Sequence, residues 1–184
     1  MDRRLRDCLL ACVLGAALAA HAGWVAAQPA PPASPPTPQQ TTASFDDWIV
    51  RCETRAGPPV QKTCEMVQFT QTKGQQGVLS EIAIGRPLKN LPFKIAVQLP
   101  IGIWLPTGVR IVAGTADSGL LATFKRCIPQ SCFADTEIKD DVIKRLRAST
   151  QNGRLEFKDG TQKDVSLPIS FKGFGAAYDA LLKE

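Results

Sequence analysis

Apolar and polar residues alternate along most of residues 45–184, with the two-residue period of half-buried strands. Trp48, Val50 and Cys52 alternate with Asp47, Ile49 and Arg51, and Cys64, Met66 and Gln68 alternate with Glu65, Val67 and Phe69. The run Ala56-Gly57-Pro58-Pro59 between them is a turn signal. The two segments therefore form an antiparallel hairpin in which Cys52 and Cys64 can face one another. Residues Val78–Ile84, Phe93–Leu99, Val109–Val112 and Leu120–Arg126 predict further strands between Gly and Pro clusters, and Cys132–Ile138 predicts another. Asp140-Asp141 followed by Lys144, Arg145 and Arg147 complements a helix dipole, which gives a short helix ending near Asn152-Gly153. Arg154–Pro168 reads as a hairpin around Asp159-Gly160. A two-residue turn there would set Leu155 against Asp164. One extra loop residue sets Leu155 against Val165 and preserves an apolar face, so a three-residue or bulged loop is expected. Phe174, Ala177, Tyr178 and Leu181 fall at helical spacing. The pattern predicts an all-β fold, a β-sandwich or a barrel-like sheet, with a short helix and a C-terminal amphipathic helix docked on it.

The first residues follow a different pattern. Arg3, Arg4 and Arg6 precede the apolar stretch Cys8–Ala20, thirteen residues long and too short to span a bilayer comfortably, and Val25-Ala26-Ala27 offers small residues for cleavage. Residues 1–27 are expected to be a secretory signal peptide, with the exported chain beginning at Gln28. Leu9-Leu10-Ala11-Cys12 has no apolar core ahead of its cysteine, which argues against lipidation. Residues 28–44 carry six prolines and no charge, the composition of an extended, disordered linker. The rest, 45–184, suits one domain, and no internal repeat is visible.

Export changes what the remaining chemistry means. Without residues 1–27 the 22 basic and 17 acidic side chains fall to 19 against 15, a net charge of +4 with no long basic run. Nucleic-acid binding is not expected, and attraction to anionic lipid or phosphate-bearing polysaccharide stays open. His21, the only histidine, leaves with the signal, so Ser-His and Cys-His catalysis are excluded by composition. No Ser-x-x-Lys motif follows, Ser170-Phe171-Lys172 has the wrong spacing, and Asp46-Asp47 and Asp140-Asp141 are adjacent pairs rather than carboxylates facing across a cleft. No cofactor motif and no metal site are expected, and an enzyme could arise only from carboxylates converging in the fold. The four remaining cysteines allow three pairings. The strand reading favours Cys52 with Cys64 and Cys127 with Cys132 as structural disulfides, contributing about 3 and about 2 kcal/mol in the chain-entropy model.

Ile95–Val109 has no charged residue and holds Trp104 between Gly102 and Pro106. Two readings stand: two central strands joined by a loop with Trp104 filling the core, or an exposed apolar rim in which Ile103, Trp104 and Leu105 meet a partner.

The ordered set of motifs resembles a known family. It comprises Trp48 with Cys52, Cys64-Glu65-Met66-Val67-Gln68, Leu99-Pro100-Ile101-Gly102-Ile103-Trp104-Leu105-Pro106 with Gly108-Val109, Cys127 four residues before Cys132-Phe133-Ala134, and Leu167-Pro168-Ile169-Ser170-Phe171-Lys172-Gly173-Phe174. Together these are similar to the invasion-associated locus B proteins over nearly all of 45–184. Ser131 stands where glycine is expected and Phe171 where leucine is expected. The resemblance implies an exported periplasmic or outer-membrane-associated accessory protein, linked in some pathogens to entry into host cells, with no catalytic residue. The expected function is a non-enzymatic envelope protein that binds an envelope or host protein, with peripheral outer-membrane association as a further expectation. The alternative is a periplasmic inhibitor of a cell-wall hydrolase.

Overall fold

The structure, a computed structural model, describes residues 39–71, 77–114 and 118–184. The signal peptide expected at 1–27 and residues 28–38 of the linker lie outside the described residues.

Among the described residues ten strands form one antiparallel sheet: β1 (Gln39–Phe45), β2 (Trp48–Arg55), β3 (Gln61–Thr70), β4 (Ser80–Gly85), β5 (Lys94–Pro100), β6 (Val109–Val112), β7 (Leu120–Ile128), β8 (Ser131–Glu137), β9 (Gly153–Lys158) and β10 (Asp164–Ile169). Helix α1 (Asp140–Ala148) lies between β8 and β9, and α2 (Phe174–Lys183) ends the chain. The spatial order is β1-β2-β3-β4-β5-β8-β7-β6-β9-β10. The all-β fold with two helices agrees with the sequence pattern, and the architecture is a curled, barrel-like sheet.

Alternation sets the core. Val50, Met66, Ile84 and Ile95 stand in direct register across β2 to β5 and all are buried. Val97 and Ala134 continue the buried face from β5 into β8. Helix α2 packs against β1–β3 and buries Phe174, Ala177, Tyr178 and Leu181, the four residues picked out by helical spacing. Trp48, fully buried, meets Phe174 edge-on with ring centroids 5.1 Å apart. Arg147 donates from both terminal guanidinium nitrogens to the Asp179 carboxylate, tying α1 to α2.

The sheet curls until β10 returns to β3, and side chains make that closure. The buried Gln68 donates from Nε2 to the Ser170 carbonyl at 2.8 Å and accepts at Oε1 from the Ser170 N–H at 2.9 Å. Its amide thus pairs with one residue's backbone as a neighbouring strand would. The Trp48 indole N–H donates to the same carbonyl at 2.9 Å, and the Thr70 hydroxyl donates to the Pro168 carbonyl at 3.2 Å. Beyond it, Ser170 Oγ donates to Asp47 and Lys172 pairs with Asp46, fastening the β1–β2 turn. Gly173 follows with φ +80°, and a Cβ there would lie 2.0 Å from the Phe45 carbonyl oxygen, so only glycine fits.

Four expectations change. The linker was expected to run to Ser44, but Gln39–Ser44 pairs with Ile49–Thr54, so these six residues belong to the sheet. An edge strand needs only backbone pairing, and the run Gln39–Ser44, polar except for Ala43, gives no apolar alternation to reveal it. Helix α1 stops at Ala148, because the Ser149 N–H bonds back to Leu146 and Gly153 already belongs to β9. Glycine is required at 153, where a Cβ would lie 2.3 Å from the Val112 carbonyl oxygen. The β9–β10 loop is longer than expected. Lys158 pairs with Asp164, and Leu155 opposes Leu167 rather than Val165. That shift of two residues keeps the same face inward. The strand expected from Val78 begins at Ser80, leaving Val78 46% exposed.

Replacing Gln68 with alanine leaves the Ser170 N–H without its acceptor. We expect a loss of about 2 kcal/mol, the penalty for one orphaned buried group, and a fall in melting temperature of roughly 6 °C. Calorimetry of the disulfide-intact protein measures it, and an unchanged transition would show that the closure does not depend on this amide.

Candidate functional site

The uncharged segment singled out in the sequence becomes a loop at one end of the barrel. It links β5 to β6, which β8 and β7 separate in the sheet, and contains one 3₁₀ turn at Leu105–Thr107 packed against β7. Backbone bonds fasten it to the end of β9 and to the β9–β10 loop: Trp104 N–H donates to the Lys158 carbonyl at 2.9 Å, and Gly160 N–H donates to the Gly102 carbonyl at 2.7 Å. Gly108, at φ +65°, closes the turn by donating to Leu105 at 3.0 Å.

Neither sequence reading of this segment holds completely. Ile103 is half-buried and packs against the core, whereas Trp104 is half-buried outside the core cluster. Leu105 is 43% and Ile101 is 58% exposed. Ile101 was not among the residues expected to meet a partner. Its signal was its place directly after Pro100, where β5 ends. Pro100 stands opposite Ser131, which stands opposite Ile128, itself 45% exposed, so Ile128 lies at the same end. The Cys127–Cys132 disulfide closes the β7–β8 tip beside this rim, and Cys132 is in register with Leu99.

The β9–β10 loop that supports the rim is organised by one carboxylate. Asp159 Oδ1 accepts from Thr161 N–H at 2.8 Å, Thr161 Oγ1 at 2.7 Å and Lys163 N–H at 3.0 Å. The Thr161 hydroxyl bond and then the Lys163 amide hold the Asp159 carboxyl below its ordinary pKa.

At the other end, Cys52 and Cys64 are directly opposed and joined in a disulfide. The Glu184 carboxylate comes within 4.8 Å of both sulfurs, but sulfurs bonded to each other are not thiolate ligands, and Lys62 pairs with Glu184. Both disulfides join the cysteines that the strand reading paired.

The carboxylates displaced from their usual range move downward. A hydrogen bond from Arg55 lowers Glu53, one from Arg145 lowers Asp141, and one from Arg147 lowers Asp179. This is opposite to the raised pKa of a general acid. Asp46 and Asp47 are engaged by Lys172 and Ser170 in the β1–β2 turn. On the outer face, Arg51 bridges Glu65 at 2.7 Å and Glu81 at 2.5 Å. Glu65 flanks Val67 along β3 and Glu81 stands opposite Phe69, so the bridge passes over the fully buried Val67.

With this geometry in place, comparison with known proteins is decisive for the family. The model of the invasion associated locus B (IalB) protein matches residues 48–182. The chain belongs to the IalB family. It is similar to an invasion protein B homologue of Brucella abortus (strain 2308), 28% identical over 139 residues that cover 75% of this chain and 77% of the relative. A homologue from Brucella abortus biovar 1 (strain 9-941) matches equally. The crystal structure of invasion associated protein B from Bartonella henselae superposes with a TM-score of 0.66 at 18% identity, covering 78% of this chain and 95% of that one, and shows the shared fold. These IalB relatives carry names of invasion proteins and not of enzymes.

Sequence reasoning passed over one feature of this IalB chain, the β4–β5 loop with its exposed Leu88 and Leu91. Its signal was Pro87-Leu88-Lys89-Asn90-Leu91-Pro92, apolar residues set around a lysine between prolines, where a turn is normally polar.

The Asp159 bonds carry a pH dependence. A carboxyl whose folded pKa lies below its unfolded value, about 3.9, stabilises the fold above that value and loses its contribution as pH falls through the folded pKa. The amide resonances of Thr161 and Lys163 should therefore titrate with a midpoint below about 3.9. A midpoint at or above that value would show that these bonds do not hold the loop.

Proposed function

We propose that this IalB-family chain is an exported, non-enzymatic envelope protein that binds a second envelope or host component through the Ile101–Leu105 rim. The observation that carries the reading is the exposure of Ile101 and Leu105 on a loop whose backbone is fixed to β9 and to the β9–β10 loop. Burying such a side chain is worth about 1.5–3 kcal/mol, and a fixed loop loses little freedom on docking, so these residues suit an interface anchor. The disulfide at Cys127–Cys132 adds rigidity beside them.

Export is supported by the N-terminal pattern of residues 1–27 and by the two disulfides, which persist in oxidising compartments. The non-enzymatic reading is supported by the absence of histidine after residue 27 and by carboxylates lowered by their partners. The names of the relatives point the same way.

Protease accessibility of a tagged chain in intact and permeabilised cells tests the location. Cleavage in intact cells, or only after the outer membrane is opened, is expected for an exported protein, and retention in the cytoplasm overturns the reading. Ile101→Ser with Leu105→Ser tests the rim. The paired change should abolish crosslinking from a photoreactive residue at position 128 while shifting stability by no more than about 0.5 kcal/mol. Unchanged crosslinks, or a large fall in melting temperature, would remove the rim from the interface.

A further inference from the structure

The end of the barrel opposite the rim carries different chemistry. The β4–β5 loop turns at Leu88–Leu91, closed by the Leu91 N–H donating to Leu88 at 3.0 Å, and Pro87 and Pro92 flank it. Leu88 is 56% and Leu91 is 41% exposed, although both sit on a turn that gains nothing internally from apolar residues. Leu88 lines a groove with Lys62, Arg86, Lys89 and Glu184. Three of those four charged side chains are basic, and the one carboxylate is taken by Lys62. Arg86 lies over the Phe93 ring at 4.7 Å, and among the described residues no carboxylate pairs with Arg86 or Lys89. The chain enters β1 at Gln39, opposite Thr54, at this same end.

We infer that this end docks peripherally on an anionic phospholipid bilayer, with Leu88 and Leu91 entering the headgroup boundary and Arg86 and Lys89 meeting the phosphates. Charge complementarity selects lipid. The rim at the other end offers apolar side chains without a cation among Ile101–Gly108, whereas here apolar tips stand beside unpaired basic groups, the composition of an interfacial anchor. Long basic side chains can lay their stems along the apolar tips and keep the charge at headgroup level. Two leucines and a few cations give reversible adsorption rather than insertion. The proposal uses a surface separate from the rim, and shares with the proposed function only export into the envelope.

The test uses the disulfide-bonded protein recovered from the envelope fraction, with N-terminal sequencing reporting independently whether residues 1–27 have been removed. Its co-sedimentation is measured with vesicles of phosphatidylcholine alone and with added phosphatidylglycerol. Binding is expected only with the anionic lipid and should be released in about 0.5 M salt, where screening shortens to a few ångströms. Arg86→Gln with Lys89→Gln should weaken it about 25-fold, about fivefold per charge. Leu88→Asp with Leu91→Asp should weaken it more than about tenfold, and Ile101→Ser with Leu105→Ser should leave it unchanged. Equal binding to both vesicle types, no binding, or leucine variants that bind like the parent would overturn the proposal. In the last case charge alone would account for adsorption.

Discussion

The buried amide of Gln68 is the contact on which the closed shape depends. In an extended strand the N–H and C=O of one residue point the same way, as do those of residues i and i+2. Ser170 presents both groups to Gln68, so Pro168, two residues earlier, faces β3 as well, and its carbonyl takes the Thr70 hydroxyl. Proline has no N–H to give. A regular ladder between β10 and β3 would therefore lack a donor at Pro168, and the join passes to side chains: the Thr70 hydroxyl, the Gln68 amide and the Trp48 indole. Because Trp48 also seats Phe174 of α2, the same few groups fix both the curl of the sheet and the position of the terminal helix.

That closure explains why the core can be built from small and medium apolar residues. A sheet curled onto itself and covered by α2 buries Ala122, Ala134 and Ala177 completely, and the two largest fully buried side chains, Trp48 and Phe174, meet where the helix packs on β2. The outer face solves a different problem. Val67 is as fully buried as the core residues yet stands on the outer face between Glu65 and Phe69 of β3, and the Arg51 bridge to Glu65 and Glu81 passes above it. These partly exposed ion pairs are each worth little by screening, but the arginine stem keeps water from an apolar position on the convex side.

Local patterns were legible in the sequence where one residue type signals one structure. The Cys52–Cys64 and Cys127–Cys132 pairings followed from strand alternation, and the buried face of α2 followed from its spacing. What escaped depends on partners distant in the chain. Gln68 reads as one more polar residue until Ser170, 102 positions away, arrives beside it. Strand β1 escaped because an exposed edge imposes no pattern, and the β9–β10 register because Asp159 spends its carboxylate on a longer loop. The proposed partner surface was half legible. An uncharged stretch around Trp104 marked the loop, but which side chains face solvent is decided by the bonds from Trp104 to Lys158 and from Gly160 to Gly102, and these turn exposure towards Ile101 and Leu105.

The two disulfides sit at opposite ends of this closed sheet, and each lies beside one of the two apolar surfaces. Cys132 is in register with Leu99, directly before the rim, and Cys64 lines the groove beneath Leu88. Both bridges span short loops, so neither constrains the unfolded chain as much as one joining distant strands would. Their leverage is local, because a hairpin end held by a covalent bond frays less than a free one. An exposed apolar side chain contributes most to binding when the backbone beneath it has little freedom left to lose. Placing a staple under each end therefore holds two chemically different surfaces, one uncharged and one basic, on a single rigid barrel. Neither proposed contact therefore requires the fold to adjust for the other.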